Sequence, residues 1–569
     1  MNSEKPKMNK WIALSNTTLG AFMAALDGSI VMISLPAIFR GINLDPLLPS
    51  NISFLLWTLM GYLVCTAVLV VALGRLGDIF GRVRMYNMGF AVFTIASAAL
   101  ALTPGQGVSA ALYLIILRIV QGIGGALLMA NSTAIITDAF PAEQRGLAMG
   151  INTISVLAGS FIGLIAGGIL AAINWRLIFW VTVPFGIFGT IWAYMKLHDT
   201  GVRRKQKIDW WGNITFAVGL ILILIGITYG IQPYGSQLMG WSSPSVIFEL
   251  VAGVVLLIAF LVIETKVEDP MFDLSLFKIR AFSASNIANF LSAIGRGGLQ
   301  FMLIIWLQGI WLPLHGYSFE STPLWAGIYM LPLTFGFILV GPLSGWLSDK
   351  YGAKYFATGG MILGALSFFF LMFLPANFSY WAFGLLLFVN GLGSGFFASP
   401  NTTATMNSVP ADKRGQASGM RSTGMNAGQV LSIGIFFSLM IVGLASTLPT
   451  AMSTQLVANG VPVSVASQIA SAPPVGSLFA AFLGYNPMAK LIPAAILSSP
   501  AVNSAYITGK EFFPNLISSP FIDGLRIAFT FSMVLFLLAA IASWMRGGKY
   551  IHDDETMRAE AETLEETML

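Results

Sequence analysis

Gly74-Arg-Leu-Gly-Asp-Ile-Phe-Gly-Arg-Val-Arg84 joins two apolar runs, and its opening returns far down the chain as Gly345-Trp-Leu-Ser-Asp349. Two other pairs keep step with it. Asn131-Ser-Thr-Ala134 returns as Asn401-Thr-Thr-Ala404, and Pro141-Ala-Glu-Gln-Arg-Gly146 as Pro410-Ala-Asp-Lys-Arg-Gly415, each about 270 residues later. A constant offset across three segments marks a duplicated unit. Repeated bundles facing each other are the architecture of alternating-access carriers, with the substrate site between them near the midplane of the membrane.

The runs on either side of these segments define the solvent. Only 10% of the 569 residues are charged, and the mean hydropathy is +0.78, a composition that a water-soluble fold cannot sustain. Apolar runs of roughly 20 residues recur, each long enough to cross about 30 Å of hydrocarbon as a helix. Helices are required because lipid leaves free backbone groups without partners. Runs such as Phe248 to Ile263 do not alternate in polarity, which excludes a barrel.

Hydropathy predicts fourteen spans: 11–37, 53–73, 86–103, 110–133, 147–172 and 177–196, then an inserted pair at 211–231 and 245–264, then 283–309, 323–346, 356–374, 381–405, 416–443 and 522–545. Lys and Arg test this count, because they concentrate in alternate, cytoplasmic loops. Lys5, Lys7, Lys10, Arg75, Arg82, Arg84, Arg145, Lys196, Arg203, Arg204, Lys205, Lys207, Lys266, Lys278, Arg280, Lys350, Lys354, Lys413, Arg414, Arg546, Lys549 and Arg558 fall inside, against Arg40, Arg176, Lys490 and Lys510 outside. Both termini are then cytoplasmic. The expected organisation is a short N-terminal segment 1–10, a six-helix half at 11–196, a linker with the inserted pair at 197–265, a second half at 283–545 and a tail at 546–569. The second half carries a long outer loop, 445–521, whose Phe479, Phe482, Leu483, Tyr485 and Ile492 predict short helices packed on the outer mouth.

Several chemistries are absent from this pattern. A single cysteine, Cys65, precludes an intrachain disulfide, and His198, His315 and His552 lack metal-ligand spacing, so neither a metal nor another cofactor is expected. No G-x-x-x-x-G-K-[ST] loop is present, because Gly509-Lys510 lacks the upstream glycine; nucleotide and nucleic-acid partners are not expected. A membrane enzyme needs a cluster of His, Cys or paired carboxylates at one depth, and a non-transporting sensor needs a soluble output domain. The cytoplasmic loop from Lys196 to Trp210 is too short for one.

The Gly74 to Arg84 loop resembles the signature between spans two and three of the major facilitator superfamily, with Gly74, Asp78, Gly81 and Arg82, echoed by Gly345 and Asp349, as gating positions. Leu117-Arg118-Ile-Val-Gln121-Gly122-Ile-Gly124-Gly125 is similar to its membrane-embedded arginine motif, which implies proton transfer. Gly150, Gly159, Gly163, Gly167 and Gly168 resemble the glycine-rich motif of its antiporters, with Leu164 where that motif has proline. Ala25-Leu26-Asp27-Gly-Ser-Ile30-Val31, Leu35-Pro36-Ala-Ile38, Trp175-Arg176, Asp209-Trp-Trp-Gly212 and Gln308-Gly309 are similar to fourteen-span drug:proton antiporters. The resemblance implies an all-α bundle of two six-helix halves with two inserted spans. It also implies proton-coupled export of small amphipathic molecules from the cell membrane; proton-linked movement of an endogenous lipid or metabolite is the alternative.

Asp27 and Glu249 are the acidic residues that fall well inside spans. A carboxylate in hydrocarbon is costly to keep charged, so Asp27 is the expected proton site. Arg118 is its expected counter-charge, with bonding to backbone carbonyls as the other role open to it. The repeat offset sets Arg296 opposite Leu26, beside the counterpart of Asp27; pairing with Asp27, binding an anionic substrate group and snorkelling are all open. Trp57, Tyr62, Gln121, Gln300 and Gln308 are expected to line the substrate cavity together with Asp27 and Arg296.

Overall fold

The computed structural model describes residues 9–45, 48–140, 142–199, 209–235, 237–268, 270, 272–410 and 413–547. Lys5, Lys7, Arg203, Arg204, Lys205, Lys207, Lys549 and Arg558, the tail beyond Gly547, and the side chains of Glu143, Arg145 and Asp349 lie outside the described residues.

The first half comprises α1 (Lys10–Gly41), α2 (Pro49–Phe80), α3 (Arg82–Ala101), α4 (Gly107–Ala139), α5 (Ala142–Ile173), α6 (Leu177–Trp180) and α7 (Thr182–Lys196); α6 and α7 form one broken span. Then come the inserted α8 (Trp210–Gly230) and α9 (Pro244–Glu264). The second half runs through α10 (Arg280–Trp306), a π-turn at Leu307–Trp311, α11 (Leu312–Leu314), α12 (Thr322–Tyr329), α13 (Leu331–Tyr351), α14 (Ala353–Leu371), α15 (Tyr380–Asn407) and α16 (Arg414–Ala458). Outer helices α17 (Val463–Ala470), α18 (Pro474–Phe482), α19 (Met488–Leu491), α20 (Ala494–Leu497) and α21 (Ser504–Ile507) lead to the last span, α22 (Phe512–Met545). Among the described residues, 14 helices are long and apolar enough to cross a membrane, and no strand occurs.

Duplication is visible in the packing. Gly81 and Gly352 end α2 and α13 at φ +108° and +88°, a conformation that only glycine adopts without strain. At the next crossing, a Cβ on Gly124 would lie 2.9 Å from the Gly89 carbonyl, and one on Gly393 would lie 2.6 Å from that of Gly360. Helices without a hydrophobic drive between them depend on such close backbone approach. The inserted pair uses it as well, with Gly219 and Gly253 facing each other's carbonyls. Its outer face is apolar, as lipid requires: Phe248, Val251, Val255 and Ile258 are exposed.

Two boundaries differ from the sequence expectation by ten residues or more. Helix α16 continues to Ala458 and α22 begins at Phe512, so the outer segment is 459–511 rather than 445–521. Pro449 and Pro520 sit inside these helices; membrane helices tolerate proline where neighbours satisfy the freed carbonyls. The segment packs as expected of its apolar content. Helices α17 and α18 form a pair bent by 83°, and every residue of α18 is buried.

Candidate functional site

Four helices of the first half converge on one buried network. Asp27 in α1 and Arg118 in α4 are 0% and 1% exposed, and Arg118 Nη1 lies 2.5 Å from Asp27 Oδ2. Gln121, one turn along α4, closes the ring: its Oε1 accepts from Arg118 Nη1 at 2.6 Å, and its Nε2 donates to Asp27 Oδ1 at 2.8 Å. The same Nε2 donates to Ser97 Oγ of α3 at 2.8 Å, and Arg118 Nε donates to the Thr58 carbonyl of α2 at 3.3 Å. The Tyr62 ring lies under the guanidinium, 4.6 Å from its Cζ. Spacing explains the convergence, because Arg118, Gln121, Gly122 and Gly125 share one face of α4. A Cβ on Gly125 would lie 2.7 Å from the Tyr62 hydroxyl.

The glycines of α5 set the depth of Asp27. Cβ atoms on Gly159 and Gly163 would lie 2.4 and 2.6 Å from the carbonyls of Phe22 and Leu26, so α5 rests on the backbone of α1 around Asp27. Gly167 meets Ile33 of the same helix, whereas Gly168 meets Leu324 of the second half. Leu164, standing where the antiporter motif has proline, offers its carbonyl to Gly327 of α12. Beside Asp27, Gly28 faces open space, since a Cβ there would meet nothing within 4 Å. The carboxylate is therefore sealed from water in this conformation but lies one residue from a free volume.

The signature loop bonds mainly to the first half and to the segments that flank it. Arg82 bridges Asp78 and Asp138 at 2.7 Å each, and Asp199 caps α3 at Val83 N, 2.8 Å away. Its neighbour Arg75 instead donates to the Pro270 carbonyl in the segment leading to the second half. Gly74 rests against Ala130 and Gly345 against Ser399.

The remaining expected residues separate. Gln308, in the π-turn, is 1% exposed and donates to the Ile33 carbonyl of α1 at 3.1 Å, tying the halves near their outer ends. Trp57 packs partly buried against the main core, and Gln300 is half-buried. Arg296 is not bonded to Asp27, whose oxygens are taken by Arg118 and Gln121. Two buried acids at the inner ends of α8 and α9 were missed. Asp209 and Glu264 are 5% and 3% exposed, and one oxygen of each faces Gly212, where the two carboxyls interact with each other. Their only signal was the Asp209-Trp-Trp-Gly212 motif.

Two pseudo-symmetric helical bundles with a charged pair buried inside one of them define a membrane carrier. Comparison places this carrier: residues 17–433 match the Major Facilitator Superfamily profile, and the chain belongs to that superfamily. It is 30% identical to the riboflavin transporter RibZ of Clostridioides difficile (strain 630), over 75% of this chain and 88% of that protein. It is 26% identical to the tetracenomycin C resistance and export protein of Streptomyces glaucescens, over 93% and 90%. Among solved structures, an inward-facing, occupied bacterial homologue of the human lysosomal transporter Spinster matches with a TM-score of 0.57 at 15% identity, covering 96% of this chain and 97% of that one. At that identity the match shows the fold alone.

Proposed function

We propose that this protein exports small amphipathic molecules across the cell membrane in exchange for protons, with Asp27 as the proton site. The observation that carries this reading is the Asp27–Arg118–Gln121 ring. Charged Asp27 is matched by Arg118; a proton on Asp27 cancels that match and leaves Arg118 seeking another acceptor. Because the ring joins α1 to α4 while α5 rests on α1 around it, loosening the ring changes how α1 sits against α5, and α5 also touches the second half at Leu324 and Gly327. A proton entering from outside would thus favour one rocking state, and its release inside the other. Export is favoured over uptake by the tetracenomycin C relative, which matches nearly the full length of the chain.

Proteoliposome transport with an imposed pH gradient tests this, using ethidium, rhodamine 6G and fluorescein as cargo. Wild type should move at least one dye faster with the gradient, and Asp27→Asn should move it at the same rate with or without one. Transport that ignores the gradient in both proteins would reject the coupling. Similarity to RibZ supports a second reading, proton-linked movement of a metabolite. Riboflavin counterflow in the same vesicles, without dye movement, would favour it.

A further inference from the structure

Among the described residues, two cations within the spans of the second half are in no ion pair. Arg296 in α10 and Arg421 in α16 are half-buried, and among the described residues no acidic side chain stands close enough to act on either charge. Among the described residues neither guanidinium forms an ion pair, and Arg421 Nε is buried with no acceptor. Both nevertheless keep part of their surface accessible, so free volume lies beside them. Arg118, by contrast, has a carboxylate, an amide and a carbonyl. Isolated cations at this depth are expensive, and where they persist they mark ligand or ion pathways.

The two arginines belong to one seam. Asn289 Nδ2 donates to the Arg421 carbonyl at 3.2 Å, a Cβ on Gly428 would lie 3.0 Å from Ala293 Cβ, and Gly297 faces Gln429. The contacts keep an offset of 132 to 135 residues, with α10 and α16 running in the same direction, so Arg296 lies level with the stretch from Gly428 to Leu431. That is two to three turns, about 10–15 Å, further into the membrane than Arg421. Asn289, Ala293, Arg296 and Gln300 share the face of α10 that meets α16. Gly424, one turn beyond Arg421 on its face, has nothing within 4 Å of a Cβ position, so the seam is open there.

We propose that this seam binds an anionic group of the cargo, a carboxylate or phosphate at one end of an amphipathic molecule, received by Arg421 near the inner side and held by Arg296 at mid-depth. The proposal rests on the export reading and adds the charge of the cargo. Guanidinium suits the task because it stays charged and grips carboxylate or phosphate with two parallel hydrogen bonds. Cargo and proton would then occupy different halves.

The test measures equilibrium binding in phosphatidylcholine nanodiscs by dansyl fluorescence. Dansylaminoundecanoate is compared with its primary amide and its trimethylammonium analogue. Wild type should prefer the acid to the amide by on the order of tenfold, the scale of one charge-assisted bond. Arg296→Gln and Arg421→Gln should each reduce that ratio and together abolish it, with amide affinity unchanged as the check on folding. Arg296→Lys and Arg421→Lys should retain part of it, and carry the test if a Gln variant is unstable. Inorganic phosphate that displaces the acid extends the site to free anions, and phosphate without effect restricts it to headgroups; either supports the site. Equal binding of acid and amide, binding of neither, tighter binding of the trimethylammonium analogue, or a preference that survives both Gln substitutions would overturn it. Binding needs no gradient, so Asp27→Asn should keep the preference. Wild-type transport that ignores the gradient while the acid preference stands rejects the export reading alone, and gradient-driven wild-type transport without an acid preference rejects this site alone.

Discussion

Asp27→Asn removes one charge from a pair whose members are 0% and 1% exposed, and it leaves Arg118 inside the first half without its carboxylate. Breaking a buried pair from one side costs about 3–5 kcal/mol, because the remaining charge is uncompensated. Arg118 keeps Gln121 Oε1 and the Thr58 carbonyl, which places the expected loss near the lower limit, about 3 kcal/mol. Arg118→Gln should cost a similar amount. The double variant Asp27→Asn/Arg118→Gln should recover a large part of it, since neither charge is then stranded, and the cycle should give a coupling of about 2–3 kcal/mol. Cys65 provides the assay. It is the single thiol, it is buried, and it sits beside Gly122 of the same helix as Arg118. Its reaction with a maleimide dye during heating therefore reports opening of the first half. A double variant no more stable than either single variant would refute the claim that the two side chains are energetically a pair.

Three further outcomes follow from the packing. Gly163→Val should lower both stability and transport, because its side chain would drive α5 off the Leu26 carbonyl; Gly28→Ala, which meets nothing, should leave melting unchanged. Gln308→Leu removes the bond to Ile33 and should cost about 0.5–1.5 kcal/mol, with faster labelling of a cysteine introduced at Ser34 by an impermeant thiol reagent in a Cys65→Ser background. Phe479→Ala in the buried α18 removes a ring stacked on Phe437 at 5.3 Å. It should destabilise the outer cap by about 3–5 kcal/mol and raise passive dye leak in proteoliposomes; an unchanged leak would mean that the cap does not seal the mouth.

The spans were legible because lipid imposes a length and a polarity that nothing else in the chain can mimic. Helix ends were harder. Pro449 and Pro520 signal a break in water, but tertiary packing carries α16 and α22 through them. The rarity of charge in hydrocarbon singled out Asp27 and Arg118, and the structure joins them directly. That rule cannot separate a polar residue that lines a cavity from one that fastens two helices. Gln308 was read as the first, and it bonds α1. Asp209 and Glu264 escaped notice because acids are ordinary at span ends; their burial comes from the packing of the inserted pair and has no local signature.

Coupling can be read most directly as protons released by the protein itself. In lightly buffered nanodiscs with a pH-indicator dye, adding a transported substrate to wild type should release protons into solution, and adding it to Asp27→Asn should release none. Equal release from both proteins would contradict Asp27 as the site where proton and cargo are exchanged.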